Sequence, residues 1–185
     1  MNDRDVRVGA IGWLEKDEEL WAALNDRNGL CRICKKNGQV DIAATYQSHN
    51  LSAKDQFYLI LSAGKRIVTL PKNAQVIGVY DEVLGSLQEV EIKNPKAFFQ
   101  GEFYSSDKFM GGLVHGNYVY MFGLMYPAIL VMDVDTLQIK YMTDWIDSEM
   151  LQTGRKTGFL AYVCSIGSYV RHSGSALFMG NYERV

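Results

Sequence analysis

Three stretches of this 185-residue chain align with one another without gaps. The first runs from Leu20-Trp21-Ala22-Ala23-Leu24 through Gly29–Cys34 to Asn37-Gly38-Gln39-Val40. The second runs from Ile67-Val68-Thr69-Leu70-Pro71 through Val76–Asp81 to Leu84-Gly85-Ser86-Leu87. The third runs from Val119–Gly123 through Ala128–Asp133 to Thr136-Leu137-Gln138-Ile139. Cys34 matches Asp81, 47 positions on, and Asp81 matches Asp133, 52 further on. A fourth copy begins with His172–Gly180, which matches His115–Gly123 at a separation of 57. Self-similarity at this period means one small unit used repeatedly, each copy burying its apolar face against the next.

Each unit reads as four antiparallel strands. Runs rich in Val, Ile, Tyr and Phe, broken by turn residues, are strand signals, and the chain holds only three prolines. First strands are expected near Val8–Trp13, Phe57–Leu61, Phe109–Val114 and Tyr169–Arg171. Fourth strands are expected near Val40–Thr45, Leu87–Ile92 and Ile139–Thr143, after turns at Asn37-Gly38, Leu84-Gly85 and Asp135-Thr136. Asn-Gly favours such turns because both residues tolerate positive φ. Asp17–Leu24 fits the repeat better as turn and strand than as helix, and Asp147–Arg155 suits a short helix.

The third unit, with Tyr120-Met121-Phe122-Gly123 followed by Val131-Met132-Asp133-Val134-Asp135-Thr136, is similar to a kelch-type blade. It departs from that pattern at Leu124, where a second glycine is usual, and at Ile139, where a tryptophan is usual. The first unit, Leu20-Trp21 through Arg32-Ile33 to Asn37-Gly38-Gln39-Val40, looks more like a streptogramin-lyase-type blade. The resemblance implies an all-β fold: antiparallel four-stranded units of a partial β-propeller. About three and a half blades are expected in a single domain spanning 1–185. Their approximate bounds are 6–46, 56–92, 108–145 and an incomplete 160–185. Propellers close with four to eight blades. Three readings of the unfinished fourth unit stay open: a piece of a longer protein, a half-ring completed by a second copy, or a compact variant closed by its own N-terminal strand.

Composition narrows the function classes. A net charge of −2 lacks the basic stripe that nucleic acid requires. Met1-Asn2-Asp3-Arg4-Asp5 is not the start of a signal peptide, and the longest uncharged run, Tyr118–Met132, is too short to span a bilayer. A cytoplasmic protein without a membrane role is expected. Asn50-Leu51-Ser52 therefore carries no glycosylation meaning. Three cysteines, an odd number, argue against a disulfide framework.

Candidate chemistry is sparse. Cys31 and Cys34 have the spacing of half a zinc site, but three residues apart on one strand they point to opposite faces. Asp81, Asp133 and Asp135 sit at turn entries, where Asp accepts from backbone N–H groups two residues on. Gly64-Lys65-Arg66 lacks the rest of a phosphate loop. No metal or cofactor is expected. His115 and His172 end equivalent first strands, in the place held by Lys16 and Ala63. The lyase resemblance implies histidine and glutamate near the axis, which makes these two histidines the only catalytic candidates, although no glutamate here matches the motif.

The loops joining second to third strands share a face with the connections between units. Candidate ligand-binding residues there are Asn25, Arg27 and Asn28, then Lys72 and Asn73, then Tyr126. The long connection Lys93–Lys108 adds Phe98, Phe99, Phe103 and Tyr104, and the stretch 147–157 adds Arg155 and Lys156. Aromatics interleaved with Asn, Arg and Lys are the composition of a recognition surface. The expected function is a non-enzymatic recognition or scaffold module for a protein or glycan. The alternatives are a lyase- or hydrolase-type enzyme with an axial histidine, and an assembly unit, possible homodimers included, pairing through open sheet edges.

Overall fold

A computed structural model of the chain describes residues 10–24, 28–47, 54–103, 106–157 and 159. Twelve strands form three separate sheets of four. The first holds β1 (Ala10–Lys16), β2 (Glu19–Leu24), β3 (Gly29–Cys34) and β4 (Val40–Thr45). The second holds β5 (Phe57–Ala63), β6 (Arg66–Pro71), β7 (Val76–Asp81) and β8 (Ser86–Glu91). The third holds β9 (Phe109–His115), β10 (Tyr118–Gly123), β11 (Ile129–Asp133) and β12 (Ile139–Met142). Every sheet is an antiparallel meander in chain order. A helix, α1 (Ser148–Thr157), follows, capped by the Asp147 carboxylate accepting from the Met150 N–H at 2.8 Å. The expected fourth unit, with Tyr169–Arg171 and His172–Gly180, lies outside the described residues.

The units repeat down to their turns. Gly38, Gly85 and Leu137 hold equivalent places between third and fourth strands, with φ of 71°, 63° and 59°. Each donates its N–H to the carbonyl four residues back, at 2.8 Å. Glycine adopts this left-handed conformation without strain, whereas Leu137 does so against its Cβ. The hairpin at the opposite end of β1 fixes a boundary. Asp17, with φ 52°, makes the turn, so β1 runs to Lys16 and not only to Trp13.

The sheets pack face to face, with β5 against both β1 and β9. Gly12 makes the first approach possible, because a Cβ there would collide with the Tyr58 carbonyl. Gly112 serves the second, since a Cβ would lie 2.9 Å from the Leu70 side chain and 3.0 Å from that of Leu61. Two cores result. Trp21, Ala23 and Leu30 meet Phe57, Ile60, Ile67, Val76 and Tyr80 between the first and second sheets. Val68, Leu70, Ile77 and Val79 meet Phe109, Val119, Met121, Leu130 and Met132 between the second and third. Tyr46 locks the first pair: its ring stacks on Phe57 at 4.1 Å, and its hydroxyl lies 2.7 Å from the Thr69 hydroxyl.

In a meander, alternate connections emerge at opposite ends. The β1–β2, β3–β4, β5–β6, β7–β8, β9–β10 and β11–β12 turns share one face. The β2–β3, β6–β7 and β10–β11 loops share the other with the two connections between sheets. This second surface is the loop face.

Candidate functional site

Backbone hydrogen bonds tie the loop face together. The Gln56 carbonyl accepts from the N–H of Lys72 at 2.8 Å, and the Lys72 carbonyl from that of Lys108 at 2.9 Å. The Lys108 carbonyl accepts from Leu124 at 2.8 Å, and the Leu124 carbonyl from Phe159. Gln56, Lys108 and Phe159 thus occupy equivalent places, just beyond the loop between second and third strands.

The connection Ile92–Lys108 is pinned on this ladder. Buried Tyr126 donates its hydroxyl to the Lys93 carbonyl at 2.6 Å, while its ring packs 5.1 Å from Phe109. The Lys93 N–H donates to the Tyr141 hydroxyl at 3.0 Å. Phe98 packs 5.1 Å from the Tyr141 ring, and the Lys93 ammonium sits 5.7 Å and 5.2 Å from the two ring centres. Asn94 opens a short 3-10 turn, Pro95–Ala97, by accepting from the Lys96 N–H at 2.9 Å. Burial pushes the hydroxyls of Tyr126 and Tyr141 up, so both stay protonated and available as hydrogen-bonding anchors.

Between this connection and the β6–β7 loop lies a cleft of about 180 Å³, lined by Gln75, Asn94, Pro95, Lys96, Glu102, Phe103 and Lys108. Lys96 and Glu102 pair at 2.8 Å on its rim. Lys108 is only 3% exposed, and its ammonium donates to the Asn73 carbonyl at 2.8 Å. Burial pulls its pKa down to about 8.

The sequence-derived candidates divide. Asn25, Arg27, Tyr104 and His172 lie outside the described residues, as do the side chains of Arg155 and Lys156. Asn28 is buried, with its carbonyl accepting from the Tyr46 N–H at 2.8 Å. Lys72 lies 3.9 Å from the Asp55 carboxylate and 3.8 Å from that of Asp107. Asn73 offers its side-chain oxygen to the Asp107 N–H at 3.4 Å. Phe98 and Phe99 are half-buried, and Phe103 reaches the cleft. His115 is exposed at the end of β9, on the turn face and away from all of these. Among the described residues no group of three His, Cys, Asp or Glu could hold a metal ion. Cys31 is buried, which pushes its thiol up, and Cys34 lies on the other face of β3.

Lys108, Gln75, Asn94, Lys96 and Glu102 were not singled out by sequence. A signal for Lys108 existed: it stands where Gln56 and Phe159 stand, and a lysine is the odd member of that series. Seeing it required an alignment extended upstream of the first strands.

Among known proteins, no family model and no curated protein sequence matches the chain. Solved structures do match. A streptogramin B lyase superposes with a TM-score of 0.53 at 15% identity, over 72% of this chain and 40% of that one. U3-55K gives 0.53 at 11% identity, over 78% and 42%. The WD40 repeats of RRP9 give 0.51 at 13% identity, over 78% and 41%. The three sheets are blades of a partial β-propeller. This chain spans about two-fifths of the length of each of those structures, and identities this low establish the fold alone. In propeller terms, β1, β5 and β9 are the innermost strands of the three blades, and the cleft lies on the loop face between the second and third. Among the described residues no helix is long and apolar enough to cross a membrane.

Proposed function

We propose that this chain is a non-enzymatic recognition module that binds a protein partner through the loop face of its second and third blades. The observation that carries this reading is the fixed Ile92–Lys108 connection. Tyr126 and Tyr141 hold it by its Lys93 end, so Phe99 and Phe103 are presented on an anchored segment beside a cleft. Aromatic side chains on a preorganised segment lose little entropy on binding and are the usual anchors of protein interfaces. The neighbourhood also supplies polar groups for orientation in Gln75, Asn94 and Lys96. The kelch-like reading of the third blade, on Tyr120–Gly123 and the Asp133–Thr136 turn, fits the same role.

Selection of a displayed random-peptide library on the full chain tests it, with a glycan array in parallel. The expected result is enriched peptides whose affinity falls at least about tenfold with Phe103→Ala and stays unchanged with His115→Ala. Peptides that ignore Phe103→Ala, or no enrichment at all, overturn the reading. Binding confined to the glycan array replaces it with a sugar-binding one.

A further inference from the structure

The repeat shows what the fold itself needs at the position of Lys108. Its equivalents are Gln56 in the second blade and Phe159 after the third, and all three make the same backbone ladder. Phe159, like Lys108, is buried. A neutral or apolar side chain therefore satisfies the architecture there, and an ammonium is not a structural requirement. Burying one is costly unless it has polar or charged company. Lys108 nevertheless carries one, and it carries it at the cleft between the Ile92–Lys108 connection and the β6–β7 loop.

The rest of the lining suits a single class of ligand. Gln75 and Asn94 bring carboxamide N–H donors and Phe103 brings an apolar wall. The only acid lining the cleft, Glu102, is held on the rim by Lys96. The volume, about 180 Å³, suits one side chain and not a whole drug-sized molecule.

We propose that this cleft is a carboxylate site, in which Lys108 receives the Asp or Glu side chain of a partner peptide. The proposal rests on the recognition reading above and names the chemistry of the partner. An ammonium held in a low-dielectric wall attracts an anion more strongly than a surface lysine does. The other charged groups around it are Lys96 and Glu102 on the connection, and Lys72, Asp55 and Asp107 around the β6–β7 loop. Burial, with no opposing carboxylate contribution, is what lowers the Lys108 pKa to about 8. A bound carboxylate favours the protonated amine, so ligand and proton bind together. Affinity is then full near pH 7 and lost as pH rises through the folded pKa, whereas ordinary surface lysines keep their charge to about pH 10.

The test uses the full chain with lysine 13Cε labels, read by NMR. Lys108 is assigned by Lys108→Gln, which places there the residue the second blade already carries. The probes are Ac-Gly-Gly-Glu-Gly-Gly-NH2, its Gln counterpart, and propionate as a free carboxylate. The expected result is that the Glu peptide moves the Lys108 signal and raises its titration midpoint by about one unit or more. Its affinity should be roughly tenfold weaker at pH 9 than at pH 7, and absent in Lys108→Gln. Equal binding of Glu and Gln peptides overturns the carboxylate site while the recognition reading stands. Shifts with propionate, together with an empty peptide selection, keep the carboxylate site as one for a free small acid and remove the recognition reading. A Lys108 signal indifferent to all three probes overturns the proposal, as does undiminished binding by Lys108→Gln.

Discussion

At the scale of single residues, Asp81 and Asp133 show why the turns recur. The Asp133 carboxylate accepts from the N–H of Asp135 at 2.9 Å and of Thr136 at 3.0 Å. Asp81 does the same with Val83 at 2.7 Å and Leu84 at 2.9 Å, and it also meets Arg66. In Asp133 the bonds from Thr136 and then Asp135 hold the carboxyl below its ordinary range. In Asp81 the Leu84 N–H leads, with Val83 and the Arg66 charge adding to it. A carboxyl with a depressed folded pKa stabilises the native state fully above the unfolded value of about 4, and that stability is lost as pH falls through the folded pKa. Asn can make the same turn but does not titrate. Asp133→Asn should therefore leave the melting temperature near neutral pH almost unchanged and give a shallower acid limb below about pH 4, measured by thermal unfolding across a pH series. These aspartates were legible in the sequence as turn residues because their role is local.

At the scale of elements, the connection between the second and third blades behaves differently. Its aromatics were visible in the sequence, but their roles were not. Tyr126 was named as a surface candidate from its loop, and the structure places it in the core with only its hydroxyl turned toward Lys93. Loop membership says little about which way a side chain turns when two blades close over it. Tyr126→Phe removes one buried hydrogen bond and leaves the Lys93 carbonyl short of a donor. The expected cost is about 1 kcal/mol in chemical denaturation, with faster amide exchange confined to the Lys93–Lys108 connection. Unchanged exchange there would mean that the connection is held by Phe98 packing on Tyr141 and not by Tyr126.

At the scale of the whole molecule, the second blade is the keystone, since it contributes to both cores. Leu70, fully buried, lies in the core shared with the third blade and abuts Gly112. Leu70→Ala should cost about 3 kcal/mol, in a single urea transition, because unfolding one face of the second blade strips the support from the other. Two separate transitions would show that neighbouring blades unfold independently, as in loosely coupled repeats. The two outward faces follow from the same repeat. Trp13, 70% exposed, stands where Ile60 stands in the second blade, and Ile60 is buried against the first. Likewise Tyr120, Phe122 and Val131 hold the places of Val68, Leu70 and Val79, and no described blade packs on them.

The repeat by itself determined the four-strand unit, its turns and the pairing within each sheet. Those depend on alternation and turn chemistry between residues close in the chain. Strand ends shifted by a residue or two, most at β1, where the hairpin residue Asp17 and not the hydrophobic run set the limit. The tertiary structure alone decided which loops meet, that Tyr126 is an anchor, and that Lys108 lies buried at a cleft. Those depend on how far apart two blades stand, and that distance is set by glycines such as Gly12 and Gly112 packed against backbone and side chains some forty residues away.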